Sequence, residues 1–161
     1  MAVSKKLPAR SESMENDILK YIPHRPPFLL VDRILEHSGN FIRTQKQVRQ
    51  EEPWFQGHYP GNPILPGVLI CESVFQSGAI LMAKMEGNEV AESGVAPTFP
   101  IITRINNVKL RHAVFPGDLM EIEVTLKEKV GPASYLTGQV RVGEKTVLTL
   151  EFTAMHVKET R

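Results

Sequence analysis

One apolar segment, from about Pro66 to Met85, constrains the fold more than any other part of the chain. Apolar residues recur there at helical spacing over most of the helix surface, namely Val68, Leu69, Cys71, Phe75, Ala79, Ile80, Met82 and Ala83. A helix that is apolar nearly all round must be surrounded by other structure. The sequence therefore predicts one long helix that is almost fully wrapped, with Pro66 at its first helical position.

Most of the remaining chain has the patterns of β-strands. Before the helix, Phe28–Leu35 is predicted to be a buried strand and Phe41–Arg49 a half-exposed one. After the helix, four strands are predicted at residues 101–114, 119–130, 134–142 and 146–157. We therefore predict an α+β fold in which a curved antiparallel sheet, with its last four strands in meander order, wraps one long central helix.

Chain length and the predicted sheet bear on domain organisation and assembly. A chain of 161 residues has the usual size of one domain, which we assign to residues 13–161. Residues 1–12 are predicted to be a mobile N-terminal tail because they offer little to bury. The sheet is expected to leave one edge open, and pairing of that edge with a second copy predicts a homodimer.

Charge and cysteine content exclude several classes of protein. Lys and Arg total 19 against 18 for Asp and Glu, so the net charge of +1 disfavours binding to nucleic acid or to an anionic membrane. The lone cysteine, Cys71, cannot form an intrachain disulfide and is interpreted as core packing. We find no signal-peptide core and no apolar window approaching a membrane span, so a cytoplasmic protein is expected.

The histidines give no indication of a metal site. His24, His37, His112 and His156 show no ligand spacing with one another or with Cys71. We therefore expect that the protein binds no metal.

The loop before the helix holds the first candidate catalytic residue. Gly57–Gly67 reads GHYPGNPILPG, with three prolines and three glycines among its residues. Proline fixes φ and glycine permits conformations closed to other residues, so this loop can hold His58 exposed in one geometry. His58 is therefore a candidate acid–base residue, and the alternative is a loop histidine that caps a turn.

Glu72 is the second candidate because it lies among apolar residues of the predicted helix. It either belongs to a polar stripe with Ser73, Gln76 and Ser77, or it is buried with a raised pKa. In the second case it is protonated nearer neutral pH and can act as a general acid, with Gln76 at i+4 fixing its rotamer.

A histidine and a carboxylic acid of this kind suit a β-elimination. The base removes a proton next to a carbonyl, and the acid protonates the leaving hydroxyl. Negative charge develops on the carbonyl oxygen, and the unpaired amides of Gly67 and Val68 at the helix N-terminus can stabilise it.

Three blocks of sequence occur in order between about Ile18 and Val157: PHRPPFLLVDRI (Pro23–Ile34), FQGHYPGNPILPGVLICES (Phe55–Ser73) and PGD (Pro116–Asp118). Together they resemble the (3R)-hydroxyacyl-acyl carrier protein dehydratase of type II fatty acid synthesis, the FabZ type. The resemblance implies a hot-dog fold and a dimer, usually assembled as a trimer of dimers. It also implies that there is no cofactor, because the substrate arrives on the phosphopantetheine of an acyl carrier protein.

The same resemblance implies site residues. It implies an active site between chains, with His58 of one subunit as base and Glu72 of the other as acid. Gly67 and Val68 match the amides that polarise the substrate carbonyl. Relatives that also isomerise the product have Asp at the position of Glu72, so the glutamate favours a plain dehydratase that forms the trans-2-enoyl product.

Two segments depart from the pattern of the resembled family. The helix reads CESVFQSG (Cys71–Gly78), with bulk at Phe75, and the strand after the connector reads PIITRINN (Pro100–Asn107). Our hypothesis is that bulky residues narrow the acyl tunnel and favour short chains. The residues concerned are Phe75, Phe99, Ile101 and Ile102.

The role of three basic residues and the function of the protein each have alternative interpretations. Arg104, Lys109 and Arg111 are interpreted either as a basic rim for an acidic carrier protein or as a solvated strand face. A thioesterase is the nearest enzymatic alternative, although it does not need the His58 loop. A non-catalytic scaffold is the other alternative.

Overall fold

The computed structural model describes residues 18–90 and 99–157, and the predicted tail at residues 1–12 lies outside these ranges. The described elements are β1 (Arg33–Ser38), β2 (Phe41–Gln47), a short 3-10 helix (Pro53–Gln56), α1 (Gly67–Glu86), β3 (Phe99–Leu110), β4 (Leu119–Val130), β5 (Ala133–Val142) and β6 (Lys145–Val157). The strands form one antiparallel sheet around α1, which confirms the predicted α+β architecture.

The order of strands in the sheet is β1-β2-β4-β5-β6-β3. The predicted meander therefore holds for β4 to β6 but is wrong for β3, which pairs with β6 at the edge of the sheet. The reason lies in the turn at Pro116–Asp118, whose backbone binds Val48 beyond the end of β2 instead of closing a hairpin. The Val48 N–H donates to the Asp118 carbonyl and the Gly117 N–H to the Val48 carbonyl, both at 2.9 Å. This connection starts β4 beside β2 and leaves two outer strands, β1 and β3, where one open edge was expected.

The first predicted strand begins later than its apolar residues suggest. Leu29, Leu30 and Val31 are buried, yet they precede β1 and have no regular structure. The Leu30 N–H donates to Oε1 of Gln76 on α1 at 2.8 Å. The backbone of this segment thus binds a helix side chain, so the apolar run predicted its burial but not its conformation.

The strand predicted around β2 is confirmed, but its predicted half exposure is wrong. Thr44, Gln45 and Lys46 are all buried despite their polarity. Polar groups can be buried when they are paired. Thr44 Oγ1 lies 2.7 Å from Ser77 Oγ, and Lys46 Nζ lies 2.6 Å from Oε1 of Glu52.

The core lies between α1 and the concave face of the sheet. The alternation in β4 is confirmed, since four residues of one face are buried: Met120, Ile122, Val124 and Leu126. A Cβ atom added to Gly138 of β5 would collide with the Val74 side chain, so glycine permits the close approach of the helix there. Sheet and helix therefore pack as the sequence predicts.

The predicted helix is confirmed within one residue at each end, with Pro66 as the residue before the first turn rather than its first member. The helix is predicted to be almost fully wrapped, and the exception in a single chain is its N-terminus, where Val68 is 75% exposed. The helix is also long and apolar enough, by length and composition alone, to cross a membrane, contrary to our expectation. Most of it is buried against the sheet, as in the core helix of a globular domain.

Candidate functional site

The loop that carries His58 is held by its own backbone. The His58 N–H donates to the Trp54 carbonyl at 2.9 Å, within the short 3-10 helix. On the ring, Nδ1 lies 2.8 Å from the carbonyl oxygen of Ile64. Because a carbonyl only accepts hydrogen bonds, Nδ1 carries the proton and Nε2 of the neutral ring keeps its lone pair. This arrangement suits a general base that acts through Nε2.

Glu72 lies on α1 as a partly buried carboxyl group. Burial raises its pKa, and the hydrogen bond from Gln76 opposes this effect to a smaller extent. The polar-stripe alternative is wrong, because Ser73, Gln76 and Ser77 are all buried. A carboxyl group of this kind keeps its proton closer to neutral pH, as a general acid requires.

Gln76 fixes the carboxyl group of Glu72 to the chain segment before β1. Its Oε1 accepts from the Leu30 N–H, while its Nε2 donates to the Phe28 carbonyl at 2.9 Å and to Oε1 of Glu72 at 3.1 Å. The predicted contact between Gln76 and Glu72 is therefore present.

A cavity of about 330 Å³ extends beside Glu72. Its lining is mostly apolar and includes Ile22, His24, Phe75, Ala79, Met82 and Ile102. Of the four predicted tunnel residues, Phe75 and Ile102 line this cavity. Ile101 is 49% exposed and lies outside its lining, and the side chain of Phe99 is outside the described part.

His24 is a member of this site that sequence reasoning considered only as a metal ligand. Its Nε2 lies 3.6 Å from Oε1 of Glu72. Burial and, to a smaller extent, the Arg25 charge lower the pKa of His24 and favour its neutral form. In the sequence, His24 is marked only by its place in the block PHRPPFLLVDRI (Pro23–Ile34), which does not indicate a contact with the distant helix α1.

A single chain does not bring His58 to Glu72. The contacts of His58 in the described ranges are with its own loop, at Trp54, Tyr59 and Ile64, and His58 does not line the cavity. At the N-terminus of α1, the first backbone hydrogen bond runs from the Leu69 N–H to the Pro66 carbonyl. The amides of Gly67 and Val68, which precede it, are therefore available as donors.

Three further groups of residues were predicted from the sequence. Burial raises the pKa of the Cys71 thiol, which keeps it protonated and a poor nucleophile. Among residues 18–90 and 99–157, no cluster of histidine, cysteine or acidic residues is suited to a metal. Arg104, Lys109 and Arg111 are exposed along and just after β3.

The FabA-like domain family matches this chain over residues 22–151, which is most of its length. The chain belongs to the FabA-like family. Its FabA-like relatives include proteins named 3-hydroxyacyl-[acyl-carrier-protein] dehydratase FabZ. The one from Nitratidesulfovibrio vulgaris is 42% identical over 120 residues, covering 74% of this chain and 75% of the relative. The one from Caulobacter vibrioides is 41% identical over 143 residues, covering 88% and 87%. The resemblance to the FabZ type is confirmed, and this FabA-like chain is a hydro-lyase of the dehydratase class.

Solved structures confirm the hot-dog fold of this FabA-like protein. The dehydratase heterocomplex ApeI:P from Xenorhabdus doucetiae aligns with a TM-score of 0.74 at 17% identity, covering 88% of this chain and 91% of that one. A hypothetical thioesterase with coenzyme A from Streptococcus pneumoniae aligns with a TM-score of 0.59 at 9% identity, covering 80% and 88%. These similarities concern the fold alone.

Proposed function

We propose that the protein removes water from a (3R)-3-hydroxyacyl group on acyl carrier protein and forms the trans-2-enoyl product in type II fatty acid synthesis or a related acyl pathway. The observation that carries this proposal is Glu72, a carboxyl group with a raised pKa beside a largely apolar cavity. The names of the FabZ relatives support the substrate class. We also infer a cytoplasmic location, which the lone Cys71 suits.

The proposed reaction needs one base and one acid. Nε2 of His58 takes the proton from C2, and the electron pair of that C–H bond forms the C2–C3 double bond. As the C3–O bond breaks, Glu72 donates its proton to the departing hydroxyl, which leaves as water. The amides of Gly67 and Val68 stabilise the negative charge on the thioester oxygen. Transfer of a proton from His58 back to Glu72 restores the enzyme, so no cofactor is needed.

We propose that the site is completed between two copies of the chain. Support comes from the separation of His58 and Glu72 in one chain and from the apolar surface of β3. Ile101, Ile105, Val108 and Leu110 are exposed along this edge strand. An apolar edge of this length is suited to pairing with a second copy. From the resemblance to the FabZ type, we further propose that three such homodimers form a hexamer.

The thioesterase alternative is distinguished by its product. Purified protein is given a (3R)-3-hydroxybutyryl thioester, and enoyl product and free thiol are measured in the same reaction. Enoyl product without thiol release supports the dehydratase. Thiol release supports the thioesterase. If neither product forms from this substrate, nor from short or long substrates bound to carrier protein, the result supports the non-catalytic scaffold.

Short acyl chains are expected to react faster than long ones. The Phe75 ring lies in edge-to-face contact with Phe152 at 5.1 Å, which holds its bulk in the cavity. The Phe75→Ala variant is therefore expected to raise the rate for long chains relative to the four-carbon substrate. Rates across a series of chain lengths test this. Equal turnover of short and long substrates by the wild type would refute the hypothesis.

Charge reversal in the proposed basic rim is expected to weaken carrier-protein binding. The Lys109→Glu and Arg111→Glu variants place negative charges where an acidic carrier protein would dock. We expect a higher KM for carrier-bound substrate and an unchanged KM for a small thioester. Lys127→Glu is the matched control, because Lys127 is exposed near the end of β4. Unchanged KM for the carrier-bound substrate would leave these residues as a solvated strand face.

A further inference from the structure

His24 is a cavity residue that the proposed reaction does not use. It belongs to the same chain as Glu72, and its ring is stacked on Phe28 with the ring centres 6.3 Å apart. Nε2 faces Oε1 of Glu72 at 3.6 Å. Nδ1 is buried and has no hydrogen-bond partner among the described residues. A buried histidine nitrogen without a hydrogen-bond partner is unusual, and the other nitrogen of this ring faces the carboxyl group of Glu72.

The neighbours of Glu72 distinguish its two oxygens. The Leu30 N–H can donate a hydrogen bond only to the oxygen of the Gln76 amide. The nitrogen of that amide must therefore face Glu72. Oε1 of Glu72 therefore accepts a hydrogen bond from Gln76 and also faces Nε2 of His24. An oxygen that accepts in this way leaves the acidic proton to the other oxygen, Oε2.

We propose that His24 is a positioning residue for Glu72. As a neutral imidazole, His24 keeps Oε1 of Glu72 directed toward His24 and Gln76, so that the acidic proton is on Oε2 and faces the substrate. This inference rests on the proposed function, because it assigns the acidic proton of that reaction to one atom. Its basis is the fixed orientation of Gln76 together with the approach of His24 to the same oxygen.

The charge of His24 matters because of its distance from Glu72. A cation 3.6 Å from the carboxyl group would favour its ionised form and remove the proton that the reaction needs. Burial and the nearby Arg25 both oppose a charge on His24. The guanidinium of Arg25 donates to the carbonyls of Ile22 and His24.

Several other titratable groups lie around the pair. Cys71 adjoins Glu72 on α1, and its thiol stays protonated because burial raises its pKa. Tyr21, Glu89 and His156 line the same cavity from the segment before β1, the segment after α1 and β6. His24 also lines this cavity, and its Nε2 lies 3.6 Å from Oε1 of Glu72.

The test combines a titration with kinetics in the full-length protein. The ¹³C signal of the Glu72 carboxyl group, assigned by its loss in Glu72→Gln, gives the midpoint of its titration in each variant. His24→Arg adds a permanent cation, His24→Gln keeps a neutral N–H near the position of Nε2, and His24→Leu removes the polar contact. His37→Gln is the matched control because His37 is exposed on β1. Circular dichroism checks that each variant folds.

We expect His24→Arg to lower the titration midpoint of Glu72 by about one pH unit or more. The alkaline limb of the kcat/KM profile should move by the same amount. His24→Leu should lower kcat about tenfold with little change in KM, and His24→Gln should restore most of it. His37→Gln should change neither quantity.

The outcomes separate this inference from the proposed function. If the wild type forms no enoyl product, the proposed function fails, while the titration still decides whether His24 controls the protonation of Glu72. If His24→Leu retains wild-type kcat, or if folded His24→Arg leaves the Glu72 midpoint unchanged, the positioning role is overturned. If arginine prevents folding, the kinetic comparison of His24→Leu with His24→Gln decides between the same two results.

Discussion

Replacement of His58 by alanine, or of Glu72 by glutamine, should lower kcat/KM for a (3R)-3-hydroxybutyryl thioester by on the order of 10²–10⁴-fold. Alanine removes the nitrogen that takes the C2 proton. Glutamine keeps the size of Glu72 but cannot donate a proton as an acid. Initial rates of enoyl formation at equal protein concentration measure the effect.

The same reaction is expected to slow at alkaline pH, because it needs the proton of Glu72. The pKa of Glu72 is raised by burial, so the acid stays protonated above the usual range of a carboxyl group. Activity that depends on this proton is lost as the pH rises through the raised pKa. His37→Ala serves as the control for both substitutions, since His37 is exposed on β1. A loss of less than tenfold in either catalytic variant would contradict the assignment.

The Glu52→Ala substitution should cost about 3–5 kcal/mol of the free energy of unfolding, because it leaves a charged lysine buried without a partner. Lys46 is 2% exposed and Glu52 is 11% exposed, and Nζ lies 2.6 Å from Oε1. The same ammonium group lies 5.9 Å from the ring centre of Trp54. The buried pair thereby ties β2 to the short 3-10 helix.

Urea denaturation at one fixed protein concentration measures this cost. Glu36→Ala is the matched control, because the pair of Glu36 with Arg43 is exposed to solvent and should contribute little to the free energy of unfolding. The double variant Lys46→Met with Glu52→Leu should recover much of the loss, since it leaves no buried charge. Equal losses in Glu52→Ala and Glu36→Ala would contradict this account. The Trp54 carbonyl accepts from His58, so Glu52→Ala should also lower activity.

Some parts of the fold could be predicted because they depend on local pattern. The helix at Gly67–Glu86 and the alternation along β4 follow from helical and strand periodicity. The pairing of β3 with β6 could not be predicted. Periodicity indicates which face of a strand is buried, but not which strand lies beside it. Here the neighbour depends on backbone bonds between Val48 and the turn at Pro116–Asp118.

The candidate site was also only partly predictable. His58 stands out because its loop is rich in proline and glycine, and Glu72 because it lies among apolar residues. Gln76 follows from its i+4 spacing to Glu72, and the structure confirms the hydrogen bond between them. The position of His24 depends on how the segment before β1 folds onto α1. Likewise, the burial of Lys46 depends on Glu52, a tertiary contact that no strand pattern encodes.

Mixed dimers of His58→Ala and Glu72→Gln chains test most directly whether this protein is a dehydratase whose site is completed by a second copy. The two variants carry different affinity tags, are co-expressed, and are purified through both tags. In each dimer that pairs one chain of each variant, one of the two sites contains both His58 and Glu72. About half of the wild-type rate of enoyl formation is therefore expected per mixed dimer, including the mixed dimers within a hexamer. If the mixed dimer is as inactive as either variant alone while the wild type is active, the two residues do not act across subunits.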